Sequence, residues 1–230
     1  MGQFSEACAC CQIRPLSVCS LLNQTDFEEL GRSAYRVRLA ARTTVFLEGE
    51  TATSFYSLRE GVVRLYKLLP DGRRQIVAFL MAGDFLGMTD SGRHEFSAVA
   101  VSPVALCKFS RASFARFIDK RPHLLRRVNE LIVRELIQAQ SHMVLLGQGS
   151  AEEKIVSFLI GWRDRLAKLR GAKDVIDLPM SRQDIADYLG LTIETVSRTL
   201  NRLEREGEIQ IVPGGVSLLD TERAEGLAAA

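Results

Sequence analysis

The chain has 230 residues, 47% of them hydrophobic, which is enough for a sizeable core and, at this length, for two domains. Its 30 basic and 28 acidic residues leave a formal net charge of +2, too even to point to a nucleic-acid partner without local pattern. No run approaches the roughly 18 apolar residues of a membrane span. The start, Met1-Gly2-Gln3-Phe4-Ser5-Glu6, lacks the basic-then-apolar order of a signal peptide, so a cytoplasmic chain with no membrane partner is expected.

Four of the five cysteines crowd into residues 8–19: Cys8, Cys10, Cys11 and Cys19. Cys107 lies far downstream. In a reducing compartment such crowding points to metal binding ahead of disulfide formation. Spacing alone leaves a structural zinc site and an iron–sulfur cluster level, because both take four thiolates. A thiol–disulfide switch, or cysteines with no joint role, also stays open.

From Tyr35 to about Ser113 the chain reads as short strands. Val62–Leu68 is β-rich, Pro70-Asp71-Gly72 supplies a turn, and Gln75–Leu80 follows as partner strand. Further turn signals come at Glu48-Gly49-Glu50, Glu60-Gly61 and Ala82-Gly83-Asp84, and Pro103 interrupts the run Ser97–Phe109. Strands at this spacing suggest a β-sandwich or barrel.

After Pro122 the period changes. Leu125, Val128, Ile132, Leu136, Ala139, Met143 and Leu146 form one apolar stripe on a long helix. That stripe is a candidate dimer seam; the alternative is packing on its own β-domain. Gly147-Gln148-Gly149-Ser150 reads as a hinge, and Ser150 with Glu153 as a capping box opening a second, smaller domain. The basic residues between Arg163 and Lys173 read as a solvated helix end.

Ser181 to Leu218 is the most informative stretch. Ser181 caps a helix whose Ile185, Ala186 and Leu189 face inward, Gly190 breaks it, and Thr192 caps the next. In that second helix Ile193, Val196, Leu200 and Leu203 form the buried face. The opposite face carries Glu194, Ser197, Arg198, Asn201, Arg202 and Arg205. Arg198 can donate twice to guanine, Glu194 can accept from cytosine, and Ser197 can approach a base edge. Arg202 and Arg205 suit phosphates. Against this, residues 181–212 hold four arginines but six acids, so base contacts, not net charge, must carry recognition of double-stranded DNA. The run Glu208–Val212, a turn at Pro213-Gly214-Gly215 and the return Val216–Leu219 form a hairpin wing.

Taken in order, these parts resemble the cyclic-AMP receptor protein and fumarate–nitrate reduction regulator superfamily over about residues 25–220. The run Leu189-Gly190-Leu191-Thr192-Ile193-Glu194-Thr195-Val196-Ser197-Arg198 is similar to that family's DNA reader, and Glu-x-x-Ser-Arg is its fumarate–nitrate version. The resemblance implies an α+β fold with an N-terminal β-roll like that of cyclic-nucleotide-binding domains, a long dimerisation helix and a C-terminal winged helix-turn-helix. The expected divisions are a cysteine-rich segment at 1–24, the β-roll at 25–119, the dimerisation helix at 120–147 and the DNA-binding domain at 148–230. It also implies a homodimer on a palindrome with TTGAT-like half-sites, and recruitment of RNA polymerase as an activator.

The same resemblance assigns Cys8, Cys11, Cys19 and Cys107 as ligands of an oxygen-labile [4Fe-4S] cluster, with Cys10 able to replace Cys8 or Cys11. In the β-roll, Glu95 and Phe96 offer no cation where the family's nucleotide binders hold a phosphate, so no cyclic nucleotide is expected. Charge on the dimer helix is thought to hold cluster-free monomers of the oxygen sensors apart, but position 139 here is Ala. Dimerisation is therefore expected to depend on oxygen less than DNA binding does. A regulator of the same fold with a thiol switch or a haem-type or small-molecule effector is the alternative. An enzyme bearing zinc or a cluster is not expected: no nucleophile–base set or phosphate loop is evident, and His94, His123 and His142 are scattered.

Overall fold

Alternation of apolar and polar residues over short, glycine-bounded runs produces three antiparallel sheets among the described residues. The computed structural model describes residues 11, 13–31, 34–147 and 149–219. It divides into two units, Met1–Lys67 with Ala78–Gln138, and Leu68–Val77 with Ala139–Ala230.

The first unit is built on β1 (Ala34–Leu39), β2 (Thr44–Phe46), β3 (Ser54–Glu60), β4 (Val63–Leu68), β5 (Arg74–Leu80), β6 (Phe85–Leu86), β7 (Ser97–Ala100) and β8 (Val104–Ser110). One sheet runs β1-β8-β3-β6 and the other β2-β7-β4-β5, with the β4–β5 tip belonging to the second unit. Strand period two sorts the side chains of β3 and β8. Tyr56, Leu58, Val104 and Leu106 enter one core with Val63, Leu80, Ala98 and Ala100. Phe55, Cys107 and Phe109 face the other way.

That second face is covered by helices. The helix α1 (Gln24–Gly31) supplies Leu30, α2 (Arg111–Asp119) supplies Phe117 and Ile118, and α3 (Pro122–Gly147) supplies Leu124. Phe55 stacks on Phe109 at 5.2 Å and meets Phe114 edge-on at 4.7 Å. Arg121 fastens α1 by pairing with Asp26 and with Glu29 at 2.6 Å. Neither α1 nor α2 stands out in the sequence; they are short helices that tertiary packing sustains.

The apolar stripe of α3 is resolved into two faces. Leu124 and Leu131 are buried, whereas Leu125, Ile132, Leu136 and Met143 are 46%, 46%, 53% and 62% exposed. Most of the stripe read from the sequence is thus uncovered, although Val128 within it packs on the chain's own core beside Leu124.

The second unit contains the C-terminal turns of α3, then α4 (Ala151–Arg170), β9 (Val175–Asp177), α5 (Arg182–Leu189), α6 (Ile193–Arg205), β10 (Ile209–Val212) and β11 (Gly215–Leu218). The capping box read from the sequence at Ser150–Glu153 is present, and the Ser181 cap proves to be a second one, completed by Asp184. The wing has three strands, ordered β10-β11-β9. β9 escaped the sequence reading because three residues carry almost no periodic signal. Its approach explains Gly215, which belongs to β11 and not to the turn: a Cβ there would lie 2.5 Å from the Ile176 carbonyl oxygen. Among the described residues no helix is long and apolar enough to cross a membrane.

Candidate nucleic-acid interface and cysteine centre

The DNA-reading helix is set by local chemistry. Gly190 ends α5 in the left-handed region at φ +65°, where a Cβ is disfavoured, and its N–H donates to Ala186. Two residues after Gly190, Thr192 Oγ1 accepts from the Thr195 N–H at 3.2 Å and starts α6. Val196, Leu200 and Leu203 are buried, as is Thr199, while Ile193 is half-buried.

On the other face Glu194, Arg198, Asn201 and Arg205 are exposed and Ser197 is half-buried. Glu194, Ser197 and Arg198, the three residues read as base contacts, therefore share the solvent side of the first two turns. Thr195, Arg198, Asn201, Arg202 and Arg205 line a shallow open groove beside them. Arg202 differs from its sequence reading, because it is paired with Glu152 on α4.

The six acids are largely turned to internal work. Asp184 is buried, caps α5 and accepts from Arg74, which also binds Asp187. Glu204 accepts from the Ile211 N–H at 2.9 Å and anchors the wing. The negative charge that argued against a DNA surface is thus partly cancelled or spent away from the exposed face of α6.

Of the four cysteines named as ligands, Cys8 lies outside the described residues, as does Cys10. Cys11 and Cys19 are half-buried and Cys107 is buried. Two short 3-10 turns, Arg14–Leu16 and Val18–Leu21, shape the segment between the first two. Arg14 holds it in place by donating to the Cys19 carbonyl at 3.3 Å and the Leu22 carbonyl at 3.0 Å. Cys19 packs against the same cluster that buries Cys107.

Arg59 joins the group. It lies close to Cys11 and Cys107; burial opposes its charge, but the two sulfurs and Glu60 outweigh that and raise its pKa. Sequence reasoning missed Arg59, since nothing in β3 marks it. Cys11 and Cys107 thus lie near one cation, Cys19 packs on the cluster that buries Cys107, and a buried hydroxyl, Ser57 Oγ, has no hydrogen-bond partner among the described residues. This donor set suits a thiolate-held metal centre.

At the place where the family's nucleotide binders hold a phosphate, Glu95 accepts from Ser91 Oγ at 2.7 Å and Phe96 is half-buried. His94 stacks on Phe46 at 3.8 Å, and burial lowers its pKa. Gly87 is hemmed in: a Cβ would meet His94 at 3.1 Å and Phe46 at 3.3 Å.

Comparison with known proteins matches residues 36–121 to the cyclic nucleotide-binding domain and residues 178–209 to the bacterial regulatory proteins of the crp family. The chain is 60% identical over 223 residues to the nitrogen fixation regulation protein FixK of Bradyrhizobium diazoefficiens, covering 97% of this chain and 94% of that one. It is 56% identical to the transcriptional activatory protein AadR of Rhodopseudomonas palustris, covering 96% and 92%. The solved structure of FixK2 from Bradyrhizobium japonicum superimposes with a TM-score of 0.79 at 35% identity, covering 86% of this chain and 98% of that one.

Proposed function

The chain belongs to the Crp-type family of bacterial transcription regulators, in its fumarate–nitrate reduction branch, and from that premise we propose that it is an oxygen-responsive activator carrying a [4Fe-4S] cluster. Cys8, Cys11, Cys19 and Cys107 hold the cluster. The supporting observations are that Cys19 packs on the cluster that buries Cys107, and that Cys11 and Cys107 both lie near Arg59. When bound, the cluster supplies oxygen-labile iron–sulfur chemistry. The chain's own part is to order the N-terminal segment against the face of β8, which leads through α2 into α3.

The loaded protein pairs through the exposed stripe of α3 and places two copies of α6 on a TTGAT-like palindrome, roughly 34 Å apart. Arg198 reads guanine, with Glu194 and Ser197 on neighbouring bases. Activation proceeds by contact with RNA polymerase in the cytoplasm. No cyclic nucleotide is expected, because Glu95 and Phe96 themselves offer no cation where the family's nucleotide binders hold a phosphate.

The test is anaerobic purification with iron and acid-labile sulfide analysis, followed by DNA binding before and after air. Four irons and four sulfides per chain, lost in air together with specific binding, are expected, and Cys107→Ser should abolish both. Zinc in place of iron, or full binding by the air-treated protein, would overturn the reading.

A further inference from the structure

Two groups beside the cysteines have no part in the fold that explains them. Ser57 sits directly opposite Cys107 in the β3–β8 ladder, so the two side chains share a face. Ser57 is only 4% exposed, yet its hydroxyl has no hydrogen-bond partner among the described residues. Such a group costs about 1–3 kcal/mol and calls for a reason. The ladder then shifts register between Leu58 and Glu60, leaving Arg59 at a bulge, where a side chain is re-aimed. Arg59 lies near enough to the Cys11 and Cys107 sulfurs for its charge to interact with both.

A thiolate set in a half-buried site has a charge problem. Four cysteine thiolates on a [4Fe-4S] core leave a net negative charge, and burial disfavours it unless cations or N–H and O–H donors face the sulfurs. Groups in that outer position are worth about 10–100-fold in metal affinity.

We propose that Ser57 and Arg59 form the positioning platform of the cysteine centre, Ser57 Oγ–H donating to the bound Cys107 sulfur and Arg59 to the Cys11 sulfur while offsetting the net charge. This rests on the four-cysteine reading above. Both residues are needed only when the sulfurs are thiolates, which is why the hydroxyl lacks a partner otherwise.

The test uses full-length protein, wild type beside Ser57→Ala, Arg59→Gln and Arg59→Lys, purified without oxygen. Iron loss to a ferrous chelator should run about 10–100-fold faster in Arg59→Gln, with Arg59→Lys restoring most of the difference. The midpoint potential of the bound cluster should move negative in Ser57→Ala and Arg59→Gln, since each removes a donor that favours the more anionic, reduced form. Thermal unfolding of the iron-free proteins serves as the folding control: the Arg59 variants should match wild type, and Ser57→Ala should be at least as stable, since it removes an unpartnered buried hydroxyl. If wild type itself carries no iron and sulfide, the four-cysteine reading fails. If wild type is loaded and the variants equal it in chelator lifetime and potential, the platform alone is refuted. Equal rescue failure by Lys with unchanged potential would reduce Arg59 to a packing residue and also overturn the proposal.

Discussion

Arg74 donates from Nη2 to Oδ1 of Asp184 at 2.7 Å, joining the tip of the β4–β5 hairpin to the first helix of the DNA reader. The same guanidinium donates from Nε to Asp187 at 2.7 Å, and Gln75 adds a bond to the Asp187 carbonyl at 2.8 Å. The carboxylates are well shielded, with side-chain exposures of 6% for Asp184 and 13% for Asp187. Arg74 opens β5, and its charge is engaged within the second unit.

Removing that cation should loosen α5. Arg74→Ala leaves two shielded carboxylates without their counter-charge, a loss expected at about 2–4 kcal/mol. Hydrogen exchange should show amides 182–189 opening more readily than those of α4. Unchanged protection across α5 would show the pair to be incidental.

Recognition should fail selectively at α6. Arg198→Ala is expected to cost about 1–3 kcal/mol on the specific palindrome and to relax choice at one base pair. Binding to random duplex DNA is the control. An equal loss there would reassign Arg198 to a phosphate.

The exposed stripe of α3 makes a prediction about assembly. Ile132→Glu or Leu136→Glu places a charge on a face that no other part of the described chain covers, so the monomer should stay folded while the dimer dissociates. Sedimentation with circular dichroism reads both. Because position 139 is Ala, wild type should remain dimeric in air even where its DNA binding has gone; a clean monomer in air would defeat that expectation.

His142 supplies a pH dependence. Its ring stacks on Tyr188 at 3.9 Å, and Nε2 lies 2.9 Å from the Tyr188 carbonyl. Burial lowers its pKa from the ordinary 6.5, against hydrogen bonding to the Tyr188 and Val77 backbones, which raises it. The folded pKa lies below the unfolded one, so the neutral ring's contribution is complete above about pH 6.5 and is lost as pH falls through the folded value. Thermal stability of wild type should therefore decline more steeply below pH 6.5 than that of His142→Phe, which keeps a ring and cannot titrate. Parallel curves would remove His142 from the account.

The reader could be recognised in the sequence because its determinants are local. Thr192 as cap, Gly190 as stop and Val196, Leu200 and Leu203 on one face lie within a few turns of one another, and short-range geometry leaves them little choice. The cysteines announced themselves by crowding, and α3 by its period. By contrast, β9 and α1 went unseen because elements this short hold together through what packs on them.

Which chemistry was available, in kind and in approximate place, followed from residue spacing: a base-reading helix, an apolar helix face and a set of sulfurs. Which groups meet across the chain was decided by the fold, since Coulomb attraction and strand register act between positions far apart in sequence. Arg74 finds Asp184, Arg202 finds Glu152, and Ser57 and Arg59 come up beside Cys107 and Cys11. No periodicity encodes such meetings, because each depends on where two separate backbones come to rest.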